Sequence, residues 1–204
     1  MTTNIRGVIK IRYALIRDLD LSNGEGIGVA LFVQGCHFHC KNCFNHETWD
    51  FDGGKEWSKD IEDKFLELAA RPYIKRISIL GGEPLVNENL EDVLNLVNKI
   101  HLSLPKKAIW LYSGYKVEKI YNNKFILSPS AHDITDIELD YIVVEESNKD
   151  RLRSEIISKC TVMVDGRYID SKRDIKLQWC GSINQSVIDI QQSLQKGEVV
   201  LWKS

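Results

Sequence analysis

The chain has 204 residues, with 27 Lys and Arg against 29 Asp and Glu for a formal charge of −2, and its 43% hydrophobic, 27% charged make-up is that of an ordinary globular protein. Near-neutral balance argues against nucleic-acid binding through bulk charge, and no apolar run approaches the roughly 20 residues of a membrane span. The opening MTTNIRGVIKIRYALIRDLD lacks a signal-peptide core, so a soluble cytoplasmic protein with one domain over 1–204 is expected.

In chain order, VALFVQG (29–35) is a short apolar run suited to a buried strand. Ser58 can cap a helix through Ala70, with Ile61, Phe65, Leu66, Leu68 and Ala69 on its buried side. IKRISIL (74–80) is a β-branched strand ending in Gly81-Gly82. Asn87 can cap a second helix, in which Leu90, Val93, Leu94, Leu96, Val97, Ile100 and Leu104 recur near the helical period before Pro105 stops it. AIWLYSG (108–114) predicts a third strand. YIVVE (141–145) and TVMVDG (161–166) predict a fourth and fifth, with a helix at about 149–159 between them. The stretch from about 116 to 160 reads as an elaboration of the scaffold, and the tail at about 181–204 as a hairpin-like strand–turn–strand around Gln195-Lys196-Gly197.

Strand–helix–strand repetition implies parallel strands joined by right-handed crossovers. Five or six strands are too few to close an eight-fold barrel, so the expected class is α/β, as an open partial (β/α) barrel with a parallel sheet or as a doubly wound sheet. In both, functional residues gather at the carboxyl ends of the strands. Those ends read Gln34-Gly35-Cys36, Gly81-Gly82-Glu83-Pro84, Ser113-Gly114-Tyr115 and Asp165-Gly166-Arg167.

There are five cysteines, and Cys36, Cys40 and Cys43 form a Cys-x3-Cys-x2-Cys loop. In a reducing compartment such a cluster points to metal binding or catalysis rather than disulfides. Cys160 and Cys180 read as buried small hydrophobes. One occupant of the loop is a structural zinc, which needs a fourth ligand such as His37, His39 or His46. The other is a cubane iron–sulfur cluster with three protein ligands, whose open position is free to bind a substrate. Spacing alone leaves both open. Under the second reading the histidines pack in the loop or meet a partner. Gly81-Gly82-Glu83-Pro84 alone is a strand–helix turn, although glycines also let a ligand approach the backbone closely.

Taken together, the cysteine loop and the Gly-Gly-Glu-Pro turn about forty residues later resemble the radical S-adenosylmethionine superfamily. The finer likeness is to the activating proteins of anaerobic ribonucleotide reductases. It is carried by GVALFVQGCHFHCKNCFNHETWDFDGG (28–54), ISILGGEPLVNENLEDVLNLV (77–97), IWLYSGY (109–115), VDGRY (164–168) and CGSINQ (180–185), about half of the chain. The resemblance implies the open partial barrel of that superfamily and a [4Fe-4S] cluster on Cys36, Cys40 and Cys43, its open iron chelated by S-adenosylmethionine. It places Gly81, Gly82 and Glu83 at the methionyl amino end. Asn42, Cys43 and Phe44 fall beside the adenosyl portion, and Ser113 and Gly114 line the cofactor pocket; Asp165 and Arg167 are weaker candidates. Where superfamily members often carry an aromatic residue, this chain has Asn42.

The implied activity is that of a radical activating enzyme. An electron from a flavodoxin-like donor passes through the cluster to split S-adenosylmethionine. The 5′-deoxyadenosyl radical then takes hydrogen from a glycine of anaerobic (class III) ribonucleoside-triphosphate reductase. No catalytic acid–base pair is implied beyond the cluster ligands. The competing readings are an activase of another glycyl-radical enzyme such as pyruvate formate-lyase, a radical enzyme acting on a small molecule, and a non-catalytic zinc-binding interaction protein.

Overall fold

The structure, a computed structural model, describes residues 11–129 and 143–203. In chain order its elements are β1 (Arg12–Asp20), β2 (Gly28–Val33), β3 (Lys55–Glu56), α1 (Lys59–Ala70), β4 (Arg76–Gly81), α2 (Leu90–Ser103) and β5 (Ala108–Tyr112). There follow β6 (Tyr115–Tyr121), β7 (Lys124–Pro129), α3 (Val143–Ser158), β8 (Val162–Asp165), β9 (Ser186–Asp189) and α4 (Ile190–Lys196).

Strand periodicity of two decides which way each side chain faces. Val29, Leu31, Val33, Ile77, Ile79, Ile109, Leu111 and Met163 enter one core, together with Phe65 and Ala69 of α1, Val93, Leu96, Val97 and Ile100 of α2, and Ile156 and Ile157 of α3. Their neighbours Ala30, Phe32, Leu80, Trp110, Val162 and Val164 point to the opposite face. The strand order β2-β4-β5-β8 follows the chain, and these four strands are parallel. With no reversal of direction across the sheet, crossovers of one hand carry all three helices to the same side. The other face is left for something else to fill.

Antiparallel strands extend this parallel core on both sides: β1 beside β2, β3 beside β1, and β9 beside β8. The result is a mixed α/β sheet whose margins among the described residues are β3 and β9. β6 and β7 form a separate hairpin. Asn122 and Asn123 make its tip with φ of 48° and 59°, the left-handed pair that suits a two-residue turn to strand twist.

Several expectations are corrected. The first strand, β1, has no counterpart in the sequence reading, because Arg12, Arg17, Asp18 and Asp20 break up its apolar residues. α2 begins after Asn89 rather than Asn87. Asn89 caps no amide with its side chain but donates to the carbonyls of Gln34 and Glu83 at 2.9 and 3.1 Å. Of the strand expected at 141–145, residues 141–142 lie outside the described residues, and 143–145 open α3; β-branched residues disfavour helix only weakly, and context overrides them. The tail is a strand, a helix and a bridge (Ile188 to Leu201) rather than a hairpin. Asp189 caps α4 by accepting from Gln192 N at 2.9 Å, and Gly197 ends it at φ 71°. The helix on Ser58 does form, with the Ser58 hydroxyl accepting from Ile61 N at 3.3 Å.

The helix-free sheet face is packed by Trp179 and Trp202 and closed at its lower end by the β1–β2 loop. Arg76, fully buried, donates to the Asp20 carboxylate at 2.7 Å, the Asp20 carbonyl at 3.0 Å and the Ser78 hydroxyl at 2.5 Å. Ser78 in turn donates to the Asn23 carbonyl at 2.6 Å. Burial would raise the Asp20 pKa, but the Arg76 and Asn23 bonds outweigh it and hold the carboxyl below its ordinary value.

Removing one partner strands a buried charge, so Arg76→Met is expected to cost about 3–5 kcal/mol in denaturant unfolding. A depressed carboxyl stabilises the fold above its unfolded pKa of about 3.9, and that contribution disappears as pH falls through the lower folded value. Asp20→Asn should therefore be less stable than the parent at neutral pH, with the gap narrowing below about pH 4. A constant gap down to the acid limit would contradict the assignment.

Candidate active site

The parallel register of β2 and β4 sets their carboxyl ends side by side, and two backbone bonds lock them there. Gly82 N donates to Val33 O at 2.8 Å and Glu83 N to Gly35 O at 2.7 Å. Asn89 spans the same pair of ends through its two bonds. The approach leaves no room for a side chain on Gly82, where a Cβ would meet Gly35 O at 2.5 Å and Thr48 O at 2.9 Å. Gly81 turns the chain at φ 105°, a conformation that glycine adopts without steric cost.

From the β2 end the chain enters the cysteine loop. Gly35 N and Cys36 N donate to Thr48 O and Trp49 O at 2.9 and 3.1 Å, closing the loop on its own far side. His39 and Asn42 take left-handed φ of 44° and 56°, turning the chain once between Cys36 and Cys40 and again between Cys40 and Cys43. Cys43 N donates to Cys40 O at 3.0 Å, and Asn45 N donates to the Cys43 sulfur at 3.4 Å. All three cysteines are free thiols, Cys36 buried and the other two half-buried. Burial, with Glu83 nearby, pushes the Cys36 thiol up to about 12, and burial also raises Cys43. A metal must displace those protons to bind.

Glu83 is 2% exposed. Its carboxylate accepts from Leu85 N at 2.8 Å, the Ser113 hydroxyl at 2.8 Å and Gly114 N at 2.7 Å. It ties the β4–α2 turn to the β5 end. Burial raises its pKa to about 7 against the pull of those three donors. A carboxylate has about four lone-pair sites, so a further donor can be accepted.

Cys36, Cys40, Cys43, Gly81, Gly82, Glu83, Ser113, Gly114 and Phe44 all line one cavity of about 490 Å³ on the helix-free side of the sheet. Of the sequence-predicted residues, Asn42 stands apart: its side-chain amide donates to Asp170 at 2.9 Å. Arg167 reaches the cavity, donating to the Phe38 carbonyl at 2.6 Å. Asp165 does not; it accepts from Val117 N and Ser186 N at 2.9 and 3.0 Å, joining three strands. Cys160 is fully buried in the helical core. Cys180, expected to be buried as well, is half-buried and lines the cavity. His37 bonds Glu88 at 3.0 Å, while His39 and His46 pack against Trp49. Sequence reasoning missed Phe38, Trp49, Tyr168 and Trp179 as cavity walls; the first two lay beside the cysteines, and VDGRY and CGSINQ bracketed the others.

A cubane takes each thiolate on a different iron, so its ligands surround a volume instead of a point. Three thiols on the wall of a roomy cavity suit that arrangement.

The family of the 4Fe-4S single cluster domain matches residues 22–188. Among similar proteins, one from Salmonella typhimurium is 31% identical over 87% of this chain and 97% of its own length. One from Vibrio cholerae is 32% identical over 83% of this chain and 92% of its own, and one from Enterobacteria phage T4 is 29% identical over 86% and 92%. Each of the three is named an anaerobic ribonucleoside-triphosphate reductase-activating protein.

A Cβ on Gly82 would press on backbone on both sides, so neither neighbour can give way as a side chain would. Gly82→Ala is expected to lose about 1–3 kcal/mol of stability in denaturant unfolding. An unchanged midpoint would show that the two strand ends are not so tightly joined.

Proposed function

From the premise that the chain belongs to the 4Fe-4S single cluster domain family and to the anaerobic ribonucleoside-triphosphate reductase-activating proteins, we propose that it activates such a reductase by radical S-adenosylmethionine chemistry. The observation that carries this reading is the meeting of the three-cysteine loop and the Gly-Gly-Glu-Pro turn on one cavity. Cys36, Cys40 and Cys43 hold a [4Fe-4S] cluster, and the cavity beside them takes S-adenosylmethionine. When bound, such a cluster would supply the one electron that splits the sulfonium into methionine and a 5′-deoxyadenosyl radical, which would become 5′-deoxyadenosine by taking a hydrogen atom from a glycine of the reductase.

The residues of this chain bind and orient. Glu83 offers its remaining acceptor capacity to the methionyl ammonium, whose charge draws the carboxyl back to its ionised form. Carbonyl oxygens of Gly81 and Gly82 serve the same group, since the amides of Gly82 and Glu83 are already donated to Val33 and Gly35. Ser113 and Gly114 hold Glu83 in place. Phe44, 61% exposed and packed against Tyr168, offers a ring to the adenosyl end. Asn42 acts at one remove, through Asp170.

The mixed sheet belongs to an open partial (β/α) barrel within one domain over 1–204. Its open face admits the glycine-bearing segment of a protein substrate, which a closed barrel would obstruct. A flavodoxin-like carrier in the cytoplasm delivers the electron. No helix among the described residues is long and apolar enough to cross a membrane.

The test is anaerobic reconstitution with iron and sulfide, followed by dithionite and S-adenosylmethionine. Formation of 5′-deoxyadenosine, and a glycyl radical by electron paramagnetic resonance only when the anaerobic reductase is added, is the expected result. Cys36→Ala, Cys40→Ala and Cys43→Ala should each abolish both signals and most of the bound iron. Cys160→Ala and Cys180→Ala should retain them, Cys180 being the sharper control because it shares the cavity. Full activity in any of the first three variants, or zinc in place of iron after anaerobic purification, would sink the reading.

A further inference from the structure

Arg153 of α3 is a buried cation that the chemistry above does not use. It is 5% exposed. Its Nε donates to the Leu85 carbonyl at 2.9 Å, and its Nη2 to Asn87 Oδ1 at 2.5 Å and to the Tyr115 hydroxyl at 3.2 Å. Nη1 donates to Asp150 at 2.7 Å, toward the surface. The guanidinium also lies over the Tyr115 ring, 4.7 Å from its centroid.

These partners are not scattered. Leu85 and Asn87 belong to the turn that Glu83 opens, and Tyr115 follows directly on Ser113-Gly114, which Glu83 holds. Tyr115 in turn meets the Phe38 ring edge-on at 5.3 Å, and Arg167 lies over Phe38 at 5.1 Å. Two rings flanked by two cations, Arg153-Tyr115-Phe38-Arg167, thus link α3 through the cysteine loop to the end of β8. A planar fork that cannot deprotonate can address several acceptors and a ring at once; a lysine cannot.

We propose that Arg153 is a positioning residue that fixes the spacing between the Gly-Gly-Glu-Pro turn and the Ser113-Gly114-Tyr115 turn, and so sets the affinity for the methionyl end of S-adenosylmethionine without touching it. The inference rests on the reading that these two turns form the S-adenosylmethionine seat. It gives α3 a task in the active site although the helix carries none of the motifs itself.

The experiment titrates cluster-loaded, full-length Arg153→Lys and Arg153→Met proteins with S-adenosylmethionine by calorimetry, with iron per chain and Tm measured on the same samples. Phe65→Leu, in the buried face of α1, controls for general loss of stability. Arg153→Met should bind about tenfold more weakly, and Arg153→Lys by a smaller factor, with iron per chain unchanged. Phe65→Leu should bind like the parent despite its lower Tm. In cluster-free protein, hydrogen exchange at the Leu85 and Gly114 amides should quicken in Arg153→Met and not in Phe65→Leu. Should Arg153→Met not fold, Arg153→Lys and Asn87→Ala carry the same comparison. Equal affinity in the parent and the Arg153 variants, or equal weakening in Phe65→Leu, overturns the inference. A parent protein that holds its cluster but does not bind S-adenosylmethionine overturns the underlying reading instead.

Discussion

Two hydrogen bonds between the carboxyl ends of β2 and β4 underlie the whole site. Gly82 N to Val33 O and Glu83 N to Gly35 O fix the Gly-Gly-Glu-Pro turn against the root of the cysteine loop. Neither bond exists without the parallel register that pairs Val33 with Gly81. That register follows from a sheet whose strands are laid down in chain order with all crossovers on one side. The geometry of the cavity wall is thus set by the backbone, and the side chains of Asn89 and Glu83 reinforce it from two directions.

Division of labour across the sheet follows from the same topology. One face is buried by three helices and supplies the large apolar core. The other carries the cavity, and it is held at its base by the Arg76–Asp20 pair and the Ser78–Asn23 bond. Polar partners at the bottom keep the β1–β2 loop in place while the top stays accessible. Glu83, Arg153 and Asp165 show a common pattern: each is buried and each joins separate elements, through backbone amides or carbonyls and neighbouring side chains. Buried charges of this kind cost energy unless satisfied, and here the satisfaction is what aligns the turns.

Much of this was legible in the residues. The four parallel strands announce themselves as β-branched runs because both of their faces are buried. The three cysteines and the Gly-Gly-Glu-Pro turn both fall at the carboxyl ends of predicted parallel strands, and the sheet brings them to one cavity. What escaped has physical reasons. β1 reads RYALIRDLD, in which Arg17, Asp18 and Asp20 interrupt the apolar residues, so no apolar run marks it. Asn87 and Asn89 are equally good caps on paper; only the tertiary demand of Gln34 and Glu83 decides how the second is used. Trp179 and Cys180 reach the cavity from an irregular stretch that no periodicity describes. Arg153 looks like one more polar residue of a surface helix until its partners are known.

The margins of the sheet have a consequence of their own. On one side β3 offers only two residues, Lys55 and Glu56, both charged and exposed; on the other, β9 has four and is partly covered by the bridge to Leu201. Unpaired strand edges invite foreign chains to extend the ladder, and brevity and charge discourage it. β3 pairs only with Arg12 and Tyr13, so the rest of β1, with its exposed Leu15 and Leu19, runs on past that short charged strand.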